Sequence, residues 1–465
     1  MQIPILNGTY TNEAPDLRVA YPRNMQPVPV QQGISNGYLR PTEGIVSAGT
    51  GPGTDRGSIN WNGRHYRVMG SKFVEVQSNG SVVELGDVGA GGYVTLDYSF
   101  DYLAIASGGR LYYWDGATLA QVTDPDLGVV LDVIWVDGFF MTTDGEFLIV
   151  TELNDPFSVM PTKYGSSEID PDPVEALLKL KNEPYALNRY TVEVFDNIGG
   201  NGFPFQRIDG AQIEKGTVGT HTCCVFVDAI AFMGSGRNEA ISIYLARSGS
   251  AARIATREID LQLKAYTEIQ LSQAKIEKRV DSGHQLLYIH LPDKTLVYDA
   301  AASSIVGEPV WFIQSSSLVE SIYRARNFCW VFDRWWVGDP NSNTVGYLTQ
   351  DTSEHWGSVV GWEFNTGIVY NESNGAIFHE LELICLTGRN ALGNNSTLWT
   401  QYSLDGEQWS MPKSIKTGKI GNRQKRLIWL YQGSMNNFRI QRFRGTSDAQ
   451  IAPVRLEARI EALAW

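Results

Sequence analysis

Turns recur along almost the whole of this 465-residue chain, and short apolar runs lie between them. Glycine accounts for 46 residues, several of them in Asn-Gly, Asp-Gly or Gly-Gly pairs, and the runs are rich in Val, Ile, Tyr, Phe and Trp. Residues 102–106, for example, lead through Gly108 and Gly109 into the run 111–114. This pattern is typical of β-hairpins and predicts an all-β protein.

The hairpins form an irregular repeat. A strand that follows a small turn recurs near Val74, Tyr112, Leu148, Val192, Ile243, Leu296 and Gly346, at intervals of 36 to 53 residues. Repeats of about 40 to 50 residues with several short strands each indicate the blades of a β-propeller. The sequence favours six blades, with the first and last repeats sharing one blade, and leaves seven open. A pair of β-sandwiches is the alternative architecture.

The pattern changes along the chain and predicts its domains. Residues 1–40 are predicted to be an N-terminal arm, residues 41–350 the propeller, and residues 351–465 a C-terminal β-sandwich that serves as a docking platform. Two stretches interrupt the propeller pattern. Residues 155–172, rich in Pro, Ser and Asp, are expected to form a long loop, and residues 256–278, which lack turn residues, are expected to hold one or two short helices.

Composition indicates what the surface contacts. Charged residues make up only 19% of the chain, below the roughly 25% of an average protein, and 11% are aromatic. We therefore expect a folded chain with large subunit contacts. The net charge of −13 argues against a general nucleic-acid clamp, which needs a basic surface. Residues 1–350 hold 40 acidic and 26 basic residues, whereas residues 351–465 hold 11 and 12.

Several classes of protein are not expected. No apolar run approaches the roughly 18 residues of a membrane helix, and the first six residues lack the features of a signal peptide. The four cysteines, Cys223, Cys224, Cys329 and Cys385, have no Cys-x-x-Cys spacing, which argues against a disulfide scaffold and a zinc finger.

Three motifs partly match the sequence patterns of catalytic or metal sites, but each lacks residues that the site requires. His284 and His290 have the same parity on one predicted strand, but further ligands with metal-binding spacing are missing. Residues 33–37 match Gly-x-Ser-x-Gly without the flanking strand and helix of a nucleophile elbow. Residues 339–343 resemble the start of an EF-hand loop without its glycine and closing Glu. We predict no catalytic residue, no metal site and no cofactor, and expect that the protein is not an enzyme.

The strongest charge feature is a basic stripe between residues 411 and 446, a segment without acidic residues. The stripe consists of Lys413, Lys416, Lys419, Arg423, Lys425, Arg426, Arg439, Arg442 and Arg444. A solvated basic face, docking on an acidic partner subunit and contact with nucleic-acid phosphate all remain open for it.

Several segments resemble the tail nozzle proteins of short-tailed bacteriophages, a family also known as packaged-DNA stabilisation proteins, tail hubs or tail accessory factors. These segments are residues 37–45, 170–173, 190–195, 203–208, 213–216, 284–292 and 295–299, and the likeness is weaker in the C-terminal domain.

The resemblance implies a structural virion protein based on a propeller. Six copies would form the nozzle at the distal part of a short tail, after synthesis in the host cytoplasm. The hexamer would dock on the portal adaptor, carry tailspikes or tail fibres and a needle or plug, retain the packaged double-stranded DNA without sequence-specific contacts and conduct it during ejection. A receptor-binding or glycan-processing propeller is the alternative, although no persuasive pair of catalytic carboxylates is visible.

Overall fold

The computed structural model of the chain describes residues 2–5, 20–30, 35–153, 155–247, 249–372, 374–390 and 393–463. Within these ranges, seven antiparallel sheets follow one another as the blades of a β-propeller, and two further sheets form a C-terminal sandwich. The predicted all-β class, with a propeller, a C-terminal β-sandwich and a few short helices, is confirmed.

In each blade, consecutive strands pair in antiparallel fashion. Blade 1 consists of Asp55–Trp61, Arg64–Met69, Lys72–Val76 and Val82–Asp87; blade 2 of Thr95–Tyr98, Leu103–Ser107, Arg110–Trp114 and Leu119–Gln121; blade 3 of Asp132–Val136, Phe139–Thr143, Phe147–Glu152 and Asp155–Ser166. Blade 4 consists of Val174–Leu180, Glu183–Asn188, Val192–Asn197 and Phe205–Arg207; blade 5 of Cys223–Phe226, Ala229–Ser235, Ser242–Arg247 and Ser250–Arg253, with Gly216–Thr217 paired to its second strand. Blade 6 consists of Lys275–Asp281, His284–His290, Thr295–Asp299 and Val310–Gln314; blade 7 of Arg326–Val331, Arg334–Gly338, Thr344–Thr349 and Gly44–Thr50.

Blade 7 closes the propeller, because its fourth strand, Gly44–Thr50, precedes blade 1 in the chain and pairs with Thr344–Thr349. The prediction that the first and last repeats share a blade is therefore confirmed. The described blades number seven, the alternative that the sequence left open, rather than the favoured six. Sharing does not lower the number of blades, since the N-terminal segment contributes a single strand and the last repeat contributes the other three.

Each seam between neighbouring blades encloses its own apolar cluster. Blade 7 packs on blade 1, for example, through Trp336 and Val345 against Met69 and Val74, all fully buried. The described residues form seven such clusters, one for each seam, and these join the blades into a closed ring.

Buried polar side chains connect blades 1, 6 and 7. The Arg67 guanidinium donates two hydrogen bonds to the Asp55 carboxylate, at 2.8 and 2.9 Å, and both side chains are completely buried. The Asn327 amide donates to the same carboxylate at 2.5 Å, and the Asn327 backbone N–H donates to Glu277 of blade 6 at 3.0 Å. Buried charges of this kind are tolerated because each has a partner.

The helices of the described ranges are α1, Arg257–Leu263; α2, Glu268–Ser272; and α3, Ala300–Val306. Helices α1 and α2 confirm the short helices predicted within residues 256–278. Thr256 caps α1 and Thr267 forms a capping box on α2, the roles in which threonine favours helix starts. None of these helices has the length and apolarity that crossing a membrane requires.

The segment 155–172, expected to be a long loop, instead contains the strand Asp155–Ser166. This strand is the fourth of blade 3 and pairs with Phe147–Glu152, with register shifts along the ladder. An edge strand makes ladder bonds on one side only and therefore tolerates the proline and polar residues that suggested a loop.

The sandwich consists of two sheets. The first contains, in order, Gln2–Ile3, Ala452–Ala462, Ala376–Leu386 and Leu427–Leu430, with Ser434–Met435 also paired to Ala376–Leu386; the second contains Gly361–Asn365, Phe438–Thr446, Thr397–Ser403 and Lys413–Lys416, with Val369–Tyr370 also paired to Phe438–Thr446. Their facing sides enclose a cluster that includes Phe364, Leu381, Leu398, Trp429 and Phe443.

Residues 1–40 are not a separate arm in their described part. Gln2–Ile3 pairs with Ala452–Ala462 in the first sandwich sheet. Met25–Pro29 and Gly37–Pro41 form a hairpin that contacts blade 6 and both sandwich sheets. Because Gln2–Ile3 is a strand of the first sandwich sheet, the start of the chain belongs to the C-terminal domain.

The Asn24 side chain connects the two domains. Its amide donates to the Ser315 carbonyl beside blade 6 at 2.9 Å and to the Gly361 carbonyl of the sandwich at 2.7 Å. Next to it, the Arg23 and Glu363 backbones exchange hydrogen bonds of 2.8 and 3.1 Å. The sandwich is therefore attached at its Gly361–Asn365 edge, beside blades 6 and 7.

Candidate docking surfaces

Six residues of the predicted stripe lie exposed at one edge of the sandwich, which we name the basic edge. They are Lys413, Lys416, Lys419, Arg423, Lys425 and Arg426. Two are on the edge strand Lys413–Lys416 of the second sheet, and the other four precede the edge strand Leu427–Leu430 of the first sheet. These two strands lie next to each other, so the basic edge spans both sheets.

The other three stripe residues belong to a central strand, Phe438–Thr446, and do not form one surface with the basic edge. Arg439 is fully buried, 4.2 Å from the ring centre of Phe378 and 3.9 Å from that of Tyr402. Burial lowers its pKa to about 10. The stripe of nine is therefore wrong for Arg439, because alternation along a central strand turns its side chain inward.

Arg442 and Arg444 are half-buried on the same strand. Arg442 stacks 4.1 Å from the ring centre of Trp409 and donates to the Gln401 side chain at 2.8 Å. Contacts of this kind hold a guanidinium within its own domain and leave it less available to a partner.

The cations of the basic edge have few acidic partners. In the described part of the chain, Arg426 is the member with a carboxylate within 4.0 Å, that of Glu382, and this contact lowers the pKa of Glu382. Lys413 donates to the Tyr431 carbonyl, and Lys416 to the Thr397 hydroxyl at 2.7 Å. Most of the positive charge of the basic edge is therefore not neutralised within the described part of the chain.

Apolar side chains stand among these cations. Met411 is 88% exposed and Tyr431 82% exposed, and Leu430 and Ile420 are also exposed. Tyr431 has a φ of 55°, in the left-handed region of the backbone that residues other than glycine and asparagine rarely adopt. Exposed apolar side chains grouped at one place mark interaction sites, and tyrosine and methionine are enriched at protein interfaces.

A surface of opposite charge, which we name the acidic face, lies at blade 3. It consists of Asp124, Asp126, Asp144 and Glu146. The Asp124 carboxylate accepts a hydrogen bond from the Val159 N–H at 3.1 Å, which places the 124–126 turn against the fourth strand of the blade. Burial, then the charges of Asp126, Asp144 and Asp124, raise the pKa of Tyr164 on that strand.

Apolar groups also accompany the acidic face. Val129, Leu131 and Met160 are exposed around it, and the Leu131 N–H donates to the Thr143 carbonyl at 2.9 Å. Sequence reasoning missed this surface, because it combines a turn between blades 2 and 3 with a hairpin inside blade 3. The total charge of the propeller was the available signal, and it does not locate a surface.

The residues of the incomplete metal-site motifs make structural contacts with other side chains. His284 pairs with Asp299 at 2.5 Å and His290 with Glu277 at 3.0 Å, in separate networks. Asp339 is buried and accepts a hydrogen bond from the Ser342 hydroxyl at 2.7 Å within its own turn. Among the described residues, no three His, Cys, Asp or Glu side chains are grouped to hold a metal ion.

Residues 33 and 34 of the Gly-x-Ser-x-Gly motif lie outside the described residues. Ser35 donates to the carbonyl of Gly37, a contact within its own turn.

Comparison with known proteins follows both domains. A family model described as Bacteriophage P22 Gp10, beta-propeller, matches residues 1–353, and a second, described as Bacteriophage P22 Gp10, beta-sandwich, matches residues 361–461. The chain is 26% identical over 450 residues to the tail hub protein gp10 of Salmonella phage P22, and the match covers 92% of each chain.

Solved structures are similar at a lower level. The N-terminal domain of Nup159 has a TM-score of 0.43 at 9% identity and covers 70% of this chain and 98% of its own. The WD40 domain of Neurospora crassa Pan2 has a TM-score of 0.43 at 9% identity, over 66% of this chain and 95% of its own.

Proposed function

This chain belongs to the bacteriophage P22 Gp10 family, as its sequence segments predicted, and from that membership we propose that it is a structural subunit of a phage tail hub. The observation that carries the proposal is the match to the P22 tail hub protein over 92% of both chains, since a match of that extent includes propeller and sandwich together. The role is that of a virion tail protein without catalysis.

In its finer form, the proposal is a six-membered ring at the distal part of a short tail. The ring docks on the portal adaptor and carries tailspikes or fibres and a needle or plug. Two features of the chain support a role with many neighbours. Its low content of charged residues and its many aromatic residues suit large permanent contacts, and the basic edge and the acidic face offer two distinct surfaces.

We further propose that the ring retains packaged DNA and conducts it during ejection. The support is electrostatic: residues 1–350 contain 40 acidic and 26 basic residues. A channel wall of the same sign as the phosphates repels DNA and lets it slide, whereas a basic wall would bind it through counterion release.

Immunogold labelling of purified virions, viewed by negative-stain electron microscopy, tests the proposal. We expect label at the far end of a short tail. Particles assembled without the chain should contain less DNA after purification than complemented particles, which tests retention separately. Intact virions without label would contradict the tail role and favour the glycan-acting alternative, for which a glycan-binding screen of the purified chain is the direct test.

A further inference from the structure

We propose that the basic edge of one copy docks on the acidic face of a second copy of this chain, so that successive subunits contact each other head to tail. The inference rests on the proposed function, because it names the partner of a surface within the ring. It assigns the basic edge to a protein contact rather than to DNA phosphate.

Symmetry requires two different surfaces. A ring of more than two identical subunits is built from heterologous contacts, in which one surface of each copy meets a different surface of the next. The two surfaces must therefore be complementary and must both be present on the same chain. The basic edge and the acidic face meet this requirement in charge.

Their apolar groups are complementary as well. Met411, Leu430 and Tyr431 stand among the cations of the basic edge, while Leu131 and Met160 stand beside the carboxylates of the acidic face. Interfaces commonly combine buried apolar anchors with charged groups that fix the orientation of the partners. A solvated charged surface would not need exposed side chains of this size.

The two surfaces lie on different domains of the subunit. The sandwich is attached beside blades 6 and 7 through Gly361–Asn365, and Lys413–Lys416 is the strand at the other end of that sheet. Blade 3 is three places from blade 6 in one direction around the propeller and three from blade 7 in the other. A contact between the sandwich of one subunit and blade 3 of the next suits a wide ring that leaves room for a channel.

Tyr431 is the expected anchor of this contact. Its ring is largely exposed, while its backbone N–H is held by the His379 carbonyl at 2.8 Å and its φ is 55°. A left-handed conformation is unfavourable for a tyrosine and persists where the surrounding structure imposes it. The backbone that carries the ring is therefore fixed in position, and tyrosine is enriched among interface hot spots.

A photo-crosslinking side chain at position 431, introduced into complemented virions, tests the contact. We expect a crosslinked dimer of this chain, with the adduct mapped by mass spectrometry to residues 124–166. The matched control is the same probe at Tyr370, an exposed aromatic residue on the opposite side of the second sheet, which should not give this adduct. A crosslink from 431 to another virion protein, to DNA or to another part of this chain, or no crosslink, overturns the inference.

A charge exchange provides an independent test if the probe excludes the chain from particles. Lys413→Glu with Lys416→Glu should lower incorporation at least about tenfold, since like charges at an interface repel strongly. Adding Asp126→Lys and Asp144→Lys to the same chain should restore it. Failure of this rescue, with normal expression of the soluble chain, overturns the contact. If the unaltered chain is itself absent from virions, the tail role fails instead.

Discussion

Arg67 and Asp55 form a two-pronged ion pair inside the propeller, with the side chains of both residues completely buried. Asp55 stands on the first strand of blade 1 and also accepts a hydrogen bond from Asn327 of blade 7. The pair therefore lies at the seam where the two ends of the propeller meet.

Replacing Asp55 by Asn should destabilise the protein by about 3–5 kcal/mol, because a buried guanidinium loses its counter-charge. Chemical denaturation monitored by tryptophan fluorescence measures the loss. Asp87→Asn, which breaks an exposed pair with Lys72 in the same blade, is the matched control and should have little effect. Equal effects of the two changes would contradict the role given to burial.

Asp132 should make stability depend on pH. Burial raises its pKa to about 7, although the Leu177 N–H donates to it at 2.7 Å. From about pH 4 to pH 7 the folded protein holds a proton that the unfolded chain has released, so stability falls as pH rises. Relative to Asp132→Asn, the wild type should lose up to about 1.4 kcal/mol per pH unit in this window and nothing more above it. A difference that does not change with pH would contradict this.

Arg439 should behave as a core residue. Arg439→Ala removes the guanidinium between Phe378 and Tyr402 and leaves the Gln432 carbonyl without its donor, which lies at 2.7 Å. We expect a loss of about 2–4 kcal/mol in the free energy of unfolding. Lys413→Ala, at the exposed edge, should change it by less than about 0.5 kcal/mol. If the Arg439→Ala chain is stable but fails to assemble, Arg439 would instead be part of the docking surface, as the sequence predicted.

We expect closure of the propeller to require glycine at position 346. A Cβ atom at this position would lie 2.3 Å from the Val46 carbonyl oxygen on the paired strand Gly44–Thr50. Gly346→Ala should cost about 1–3 kcal/mol by overpacking and should raise hydrogen exchange along that strand. Gly92→Ala is the control, because no atom lies within 4 Å of a Cβ there. Unchanged protection of residues 44–50 would contradict the closure argument.

Much of the propeller was predictable, because its repeat is local. The seven positions at which the sequence repeat was marked, from Val74 to Gly346, each fall on the third strand of a different blade. The predicted number of six failed because closure was taken to remove a blade, whereas pairing between residues 44 and 349 supplies a strand to one. Such long-range pairing leaves no periodic signal in the sequence.

The docking surfaces were predictable only in part. The charges near the edge strands could be located because they follow one another in the sequence. Arg439 was misassigned because its strand also carries two half-buried arginines, and its burial depends on Phe378, 61 positions earlier in the chain. The acidic face required the fold, since it combines the 124–126 turn, held against blade 3 through Asp124 and Val159, with the hairpin at Asp144.

The position of Gly44–Thr50 in blade 7 also has a consequence for synthesis. About 300 residues separate this strand from its partner, Thr344–Thr349. At roughly 5–20 residues per second, a ribosome needs roughly 15–60 s to make that interval, during which the strand has no ladder partner. A chain that terminates before Thr344–Thr349 is made therefore keeps an unpaired strand with which other nascent chains can pair. Closure of the propeller thus waits for translation of residues 344–349, whereas it does not need most of the C-terminal sandwich.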